Sequence, residues 1–294
     1  ADNINMACNE RNIDYHVSVR YLLESEEYQA ERVVDKYLEN LSVDNLQLVD
    51  EIEEFLMIYD LTDKKRSIYE KIGDLYKEIK DYYKSYTYYI KAFESIRKDN
   101  IDDMAAMLIL KLSNCCKLNY KYKEALEFCK LPLKNEAFIS MDIKLELLLN
   151  KAEILMLLKE YDSSLDEIES IEEFNEELSE EYLFTLNMLK GQCYRENRYY
   201  RDALEVYKSL KEGAGSLDKS KILCININII GIYILLRDNR NIRKHIDESL
   251  VLISSNRQLY KEKHGAEIFS GLAKGFKFIS EDERAAEYYN HAIY

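Results

Sequence analysis

Residues 69–92 read YEKIGDLYKEIKDYYKSYTYYIKA. The small residue Gly73 is followed three positions later by Tyr76, and twelve positions later by a second small residue, Ser85, which precedes Tyr89 by four. Apolar and aromatic residues at intervals of three and four are typical of helices. A small residue where two helices meet lets them approach closely, and large residues fill the remaining space. This segment therefore predicts two helices packed as a pair.

The same pattern recurs along the chain at a nearly constant interval. The first small residues are separated by 40, 39, 39, 40 and 42 positions, and they are Gly73, Ser113, Ala152, Gly191, Gly231 and Ala273. The pattern resembles the tetratricopeptide motif, although its period exceeds the usual ~34 residues. It also departs in the fifth copy, where Arg243 stands at the second small position. The sequence predicts an all-α protein, a right-handed superhelical solenoid of tetratricopeptide-like helix pairs with a period of about 40 residues.

The predicted organisation has two parts. Residues 66–294 form the repeat array, with about six helix pairs, and residues 1–65 form N-terminal helices. Within the N-terminal part, residues 11–41 are interpreted as a degenerate repeat with Ala30 at the small position. Residues 44–60 are interpreted as one extra helix that interrupts the period.

Composition limits the class of partner. The chain carries 41 Lys and Arg against 55 Asp and Glu, a net charge of −14, which repels the phosphates of nucleic acids and anionic lipid surfaces. The six cysteines show no CxxC pair and no zinc-ligand spacing, so we expect reduced, mostly buried thiols, including the adjacent Cys115 and Cys116. No uninterrupted apolar run is long enough to span a membrane, and no signal-peptide pattern opens the chain, so neither membrane insertion nor export is expected. The expected location is the cytoplasm, without binding of nucleic acid or membrane by this chain alone.

The first helices of such pairs line a concave groove that binds extended peptides. When the small residue is counted as position 8, the face that we call the inner face consists of positions 2, 5, 6, 9, 12 and 13 of each first helix. Side-chain amides and cations recur there, and they can pair with a peptide backbone or with a carboxylate. The candidate binding residues are Lys111, Asn114, Lys117, Asn150, Glu153, Gln192, Arg195 and Asn228. Asn226 falls off this face.

An acidic, Tyr- and Ile-rich array of this period resembles the peptide-pheromone receptors of low-GC Gram-positive bacteria, the group of the Rap, NprR and PlcR proteins. The resemblance covers residues 11–294 and rests on repeat length and inner-face amides. It implies a sensor domain that binds a short signalling oligopeptide in its groove, as part of a quorum-sensing transcriptional regulator. Many members of the group carry an N-terminal helix-turn-helix domain. The acidic region before residue 66 lacks one, and the first residue is Ala1, so we expect such a domain to have been removed upstream.

No enzymatic activity, cofactor or metal site is predicted. The four histidines are scattered, and the sequence contains no glycine-rich phosphate loop. A Rap-like phosphatase would need a catalytic amide on an N-terminal helical bundle, for which Gln29 is the candidate.

Two further expectations concern partners. The alternative function is a constitutive interaction scaffold or a chaperone-linked adaptor that grips a terminal carboxylate with Lys111, Asn114 and Asn150. The chain is also expected to form a homodimer through its C-terminal end, where Tyr288, Tyr289, Ile293 and Tyr294 follow without a capping helix.

Overall fold

The computed structural model describes residues 26–59, 61–96, 101–134, 139–174, 178–213, 218–255 and 265–293. Within these ranges it contains a short 3-10 helix, Val43–Asn45, and fourteen α-helices, with no strand. The helices are α1 (Glu26–Asn40), α2 (Leu48–Ile58), α3 (Thr62–Glu78), α4 (Tyr82–Glu94), α5 (Asp103–Leu118), α6 (Tyr122–Leu133), α7 (Met141–Leu157), α8 (Tyr161–Glu172), α9 (Glu180–Glu196), α10 (Tyr200–Glu212), α11 (Lys219–Leu236), α12 (Asn239–Ser254), α13 (Gly265–Phe278) and α14 (Asp282–Ile293). From α3 onward they form six consecutive pairs, so the predicted all-α class and helix-pair repeat are confirmed.

The small positions lie where the sequence places them in the first four pairs. A Cβ added to Gly73 would stand 2.6 Å from the Tyr89 ring, and one added to Gly191 would stand 2.5 Å from the Tyr207 ring. The hydroxyl of Ser85 donates a hydrogen bond to the Gly73 carbonyl at 2.9 Å, across the α3–α4 contact. The equivalent hydroxyls of Ser113 and Ser164 bond the carbonyls of Ala125 and Ala152. A serine at either small position therefore joins the two helices of its pair directly.

The fifth pair corrects the predicted register by one residue. A Cβ on Gly231 would meet nothing within 4 Å, whereas the preceding Ile230 is fully buried. On α12, Ile242 and Ile246 are among the buried residues, and the neighbouring Arg243 is exposed. Isoleucines thus occupy the positions that small residues occupy in the other pairs. Arg243 departs from the repeat pattern only when the fifth copy is counted from Gly231 and not from Ile230.

The turn between the two helices of a pair has the same backbone conformation in all six pairs. One or two positions after the end of the first helix, a residue adopts positive φ, between 58° and 66°, in all six pairs, and these residues are Lys80, Tyr120, Lys159, Arg198, Arg237 and Ser280. The next backbone N–H then bonds a carbonyl five residues back, as Glu160 does to Leu155 at 2.9 Å. This closure satisfies carbonyls that a helix end leaves free. None of the six residues is glycine, the residue that tolerates this conformation best.

The chain divides into two compact units, Ala1–Asn150 and Lys151–Tyr294. In the first unit, Ala30 and Val34 of α1 are buried in one core with residues of α2 and α3. The extra helix expected over residues 44–60 is present as α2. The rest of the predicted helix pair over residues 11–41 lies mostly outside the described residues, and the proposed boundary at residue 65 stays a prediction.

The core of the second unit surrounds α11. This helix is long and apolar enough to cross a membrane by length and composition. Eight of its residues are buried, however, and it packs against α12 and α13. Neighbouring helices therefore cover the buried part of its apolar surface, whereas Leu235 and Leu236 at its end are exposed.

Candidate functional site

Three predicted residues of the first unit lie along one side of α5, at intervals of three. Lys111 is the best defined, since its ammonium group donates hydrogen bonds to Glu70 and Asp74 of α3, both at 2.8 Å. Burial opposes the charge of Lys111, but the hydrogen bonds to the two carboxylates raise its pKa above the usual value. Asn114 and Lys117 follow on the same side and are half-buried. Lys111 thus joins two neighbouring first helices, and its charge is already neutralised by acidic partners.

Asn150 does not lie on an open face. Its side chain is only 5% exposed, and its amide group donates to the Ser113 hydroxyl at 3.1 Å and to the Cys129 sulfur at 3.2 Å. The small Ser113 and the thiol leave room for an amide in the core of the first unit. The amide oxygen is buried without a hydrogen-bond partner in the described part of the chain. The expectation that Asn150 faces a ligand is therefore corrected, because the amide is enclosed between α5, α6 and α7.

Two of the four predicted binding residues of the second unit contact each other. Arg195 of α9 donates through Nη1 to the Asn228 side-chain oxygen at 3.0 Å, and it also pairs with the adjacent Glu196. Asn228 is 7% exposed, and its amide nitrogen donates to the Cys224 carbonyl one turn earlier. Glu153 on α7 and Gln192 on α9 are half-buried. Arg195 and Asn228 therefore form a fixed pair across two neighbouring first helices.

This pair borders a cavity of about 280 Å³. Its lining comes entirely from the first helices of the last three pairs, and consists of Arg195 from α9, Ile227, Asn228, Gly231 and Ile234 from α11, and Glu267, Ser270, Gly271 and Lys274 from α13. Cationic, anionic, amide and hydroxyl groups thus converge around an apolar floor, which is the usual make-up of a ligand pocket. The volume is close to the lower limit of ~300 Å³ for such pockets and suits a short segment of a larger ligand.

No packing contact in this cavity requires a glycine at position 231. Glycine inside a helix costs about 1 kcal/mol relative to alanine, and it is commonly kept where another backbone approaches closely. Gly73 and Gly191 are needed for the adjacent tyrosine rings, but the Cβ position of Gly231 is empty to 4 Å. The glycine instead leaves the backbone of α11 accessible from the cavity.

The sequence analysis missed the wall from α13. The residues Glu267, Ser270, Gly271 and Lys274 occupy positions 2, 5, 6 and 9 relative to Ala273. The rule that identified the other inner-face residues finds them when it is applied to the sixth copy. With Ile230 as position 8, Asn228 also remains on the inner face, at position 6. The repeat pattern therefore contained the signal for most of this cavity.

Buried polar groups on the opposite side of α11 form a separate network. Asn226 is fully buried, accepts a hydrogen bond from Lys211 of α10 at 2.8 Å and donates to Ser249 of α12 at 3.2 Å. Lys211 also pairs with Glu248 at 2.6 Å. Asn226 is thus a structural residue of the core, in keeping with its place off the inner face.

The adjacent thiols of α5 lie in an environment that does not favour reactivity. Cys115 and Cys116 are buried and unpaired, and burial raises the pKa of Cys116 to about 12. A thiol with such a pKa is almost fully protonated at neutral pH and is a poor nucleophile. No cluster of metal-binding side chains occurs among the residues for which the structure gives positions.

Comparison with known proteins rests on the fold. No family model matches the sequence, and no curated protein is similar to it. The apo form of RapI is similar in structure, with a TM-score of 0.62 at 16% identity over 92% of this chain and 97% of RapI. NprR in complex with its cognate peptide NprX gives 0.58 at 18% identity over 90% of this chain and 77% of NprR. A Rap protein complexed with competence and sporulation factor gives 0.53 at 12% identity, over 95% and 89%. At these identities the likeness establishes a shared tetratricopeptide-like fold.

Proposed function

We propose that this chain is the peptide-sensing part of a quorum-sensing type transcriptional regulator and binds a short signalling oligopeptide at its inner face. The observation that carries the proposal is the cavity floored by Gly231, where polar groups converge beside an accessible helix backbone. The shared fold supports it, because NprR with that fold forms a complex with its cognate peptide NprX, and a Rap protein with that fold is complexed with competence and sporulation factor. The regulatory output, a cytoplasmic location and a DNA-binding domain elsewhere in the protein belong to the proposal through the resemblance to this receptor group.

The binding chemistry follows from the cavity walls. The Ser270 hydroxyl can pair with an N–H or C=O group of a peptide backbone, while Ile227 and Ile234 contact an apolar side chain. The Asn228 amide already bonds Arg195 and the Cys224 carbonyl, and it holds the Arg195 guanidinium at the cavity wall. Arg195 and Lys274 favour an acidic group nearby, and Glu267 limits how much negative charge is accepted. We therefore expect a ligand segment of one or two residues, with an apolar side chain, to occupy this cavity.

The carboxylate-clamp alternative has weaker support. Lys111 is already paired with Glu70 and Asp74, and Asn150 is enclosed in the core. Two of the three residues assigned to the clamp are therefore not free to grip a terminal carboxylate. We also propose no reaction for this chain, and Gln29, which lies half-buried on α1, is given no catalytic role.

The test is a thermal-unfolding screen of the chain against synthetic peptides of five to ten residues, each with a free or an amidated C-terminus. A ligand at a hundredfold excess over its Kd adds about 2.7 kcal/mol of stability, which raises the Tm by several degrees. The substitution Gly231→Leu places a side chain in the cavity from a position with no neighbour within 4 Å. We expect it to fold normally and to abolish the ligand-induced shift.

Gly213→Leu is the matched control, because Gly213 ends α10 away from the cavity. It should retain the wild-type response. If Gly231→Leu responds like wild type, the cavity is not the binding site. If no peptide shifts the wild-type Tm, a constitutive interaction scaffold becomes the better supported function. A Tm shift seen only with peptides that have a free C-terminus would favour the carboxylate clamp.

A further inference from the structure

Three methionines lie exposed on the first turns of two helices in the first unit. Met104 and Met107 are 67% and 49% exposed near the start of α5, and Met141 is 37% exposed at the start of α7. Met104 and Met107 are three residues apart and therefore share one side of α5. We call these three residues the methionine surface.

The two helix starts are held together by a direct contact. The backbone N–H of Ser140, just before α7, donates to the Asp103 carboxylate at 2.6 Å. Met104 and Met141 are the chain neighbours of these two residues. Single exposed apolar side chains are common on protein surfaces. The methionines instead lie on adjoining helix turns, which places them in one region of the surface.

The repeat does not require methionine at these positions. Met104 and Met107 precede Ser113 by nine and six residues, and the equivalents before Gly73 are Lys64 and Ser67. Lys64 forms an ion pair with Asp35 at 2.8 Å, so a polar residue is well accommodated there. Met104 and Met107 are therefore a local feature of the second pair.

Carboxylates outnumber cations in the two segments that carry the methionines. Residues 102–107 and 141–146 carry four carboxylates and a single lysine, Lys144. The Asp102 carboxylate caps the start of α5 by accepting from the Ala105 N–H at 2.8 Å. Asp142 and Glu146 are exposed on α7, and the chain as a whole has a net charge of −14. The surface therefore combines adaptable apolar side chains with a negative rim.

We propose that the methionine surface docks a basic amphipathic helix of a partner protein. Methionine is unbranched and polarizable, so a methionine-lined surface adapts to apolar side chains of different shape. The apolar side of the incoming helix packs on Met104, Met107 and Met141. Its lysines and arginines lie near Asp142 and Glu146, and this charge complementarity selects a cationic partner over an acidic one. Met107 stands at position 2 of its copy and so belongs to the inner face, but the Gly231 cavity belongs to the other compact unit, so the two proposals can be tested separately.

The probe is a synthetic 18-residue helix with leucines on one side and lysines on the other, compared with a scrambled peptide of the same composition. The protein is labelled with ¹³C at its seven methionine methyl groups, which are assigned with single Met→Leu variants. We expect the amphipathic peptide to shift the methyl signals of Met104, Met107 and Met141, and to leave Met188 of α9 unchanged. At 0.3 M salt, it should bind at least tenfold more tightly than the scrambled peptide.

The variant Met104→Ser/Met107→Ser should lose at least tenfold in affinity for the amphipathic peptide. Val251→Ser is the matched control, since Val251 is an equally exposed apolar residue, 69% exposed, on α12 of the second unit. It should bind as wild type does. Equal affinity for the two peptides would reduce the interaction to attraction by net charge and overturn the proposal. Wild-type affinity in the double variant, or shifts centred on Met188, would overturn it as well.

Discussion

Gly191 and Gly231 occupy equivalent positions in the sequence pattern, but their surroundings predict opposite effects of the same substitution. Gly191→Ala would drive a Cβ to 2.5 Å from the buried Tyr207 ring, so we expect a loss of about 1–3 kcal/mol from overpacking. Gly231→Ala meets nothing within 4 Å and improves helix propensity, so we expect a gain of about 0.5–1 kcal/mol. Urea denaturation of both variants measures the two free energies of unfolding. A loss of stability in Gly231→Ala would show that the cavity floor is packed.

At the scale of helices and turns, the six positive-φ residues predict a simple route to higher stability. A side chain in the left-handed region costs roughly 1 kcal/mol, and glycine avoids this cost. Lys159, at φ 66°, is an exposed example between α7 and α8. We expect Lys159→Gly to raise the free energy of unfolding by about 0.5–1 kcal/mol, net of the added flexibility of the unfolded chain.

Lys159→Ala is the control for that measurement, because it removes the charge but keeps the Cβ. It should give no gain. If both variants gain equally, the effect arises from the lysine charge and the backbone carries no strain at this turn.

The α11–α12 pair predicts a pH dependence. His245 is 6% exposed, stacks on Tyr233 with a ring separation of 5.7 Å, and lies 3.3 Å from the Glu248 carboxylate. Burial lowers the pKa of His245, and together with the smaller effects of Lys211, Lys244 and Lys208 it outweighs the opposing effect of the Glu248 carboxylate. The unfolded chain therefore binds the proton more readily. Stability should be fully present above pH ~6.5, the usual histidine pKa, and should decline as the pH falls below it.

Urea midpoints measured between pH 7.5 and 5.0 test this dependence, which for a single group cannot exceed about 1.4 kcal/mol per pH unit. His245→Phe keeps an aromatic ring against Tyr233 and removes the titrating group. Its midpoint should vary less with pH over this range than that of wild type. Burial opposes the charge of Glu248, but its hydrogen bond to Lys211 lowers the pKa of the carboxyl group. The stability that this carboxylate contributes is therefore lost at a lower pH than the range of these measurements. An unchanged pH profile in His245→Phe would assign the dependence to another group.

At the scale of the whole molecule, the last helix predicts self-association. Among its described residues, Ala285 alone is buried on α14, whereas α12 buries five. Tyr288 and Tyr289 are half-buried and Ile293 is 76% exposed, while Tyr294 lies outside the described residues. We expect a dimer through this surface by analytical ultracentrifugation, and a shift to monomer in Ile293→Asp. A wild-type monomer at high concentration would contradict this expectation.

The sequence by itself determined the fold class. In five of the six copies a small residue is followed by a second one twelve positions later, and this recurrence at intervals near 40 indicates that each interval contains the same pair of helices. The period also identified most of the inner face, because residues at equivalent positions point to the same side of equivalent helices. It therefore found Arg195 and Asn228, and it could have found Lys274.

Tertiary structure alone decided which inner-face residues are free and where the register slips. Asn150 and Asn114 look alike in the pattern, but only Asn150 faces a gap left by Ser113 and Cys129, so it is buried. Gly231 looks like the other small residues until the packing of Ile230 against α13 and α12 shows that it is not in the helix contact. Periodicity fixes the direction of a side chain from its own helix. Burial and cavities depend on what neighbouring helices place opposite it, and that information lies about 40 residues away in the sequence.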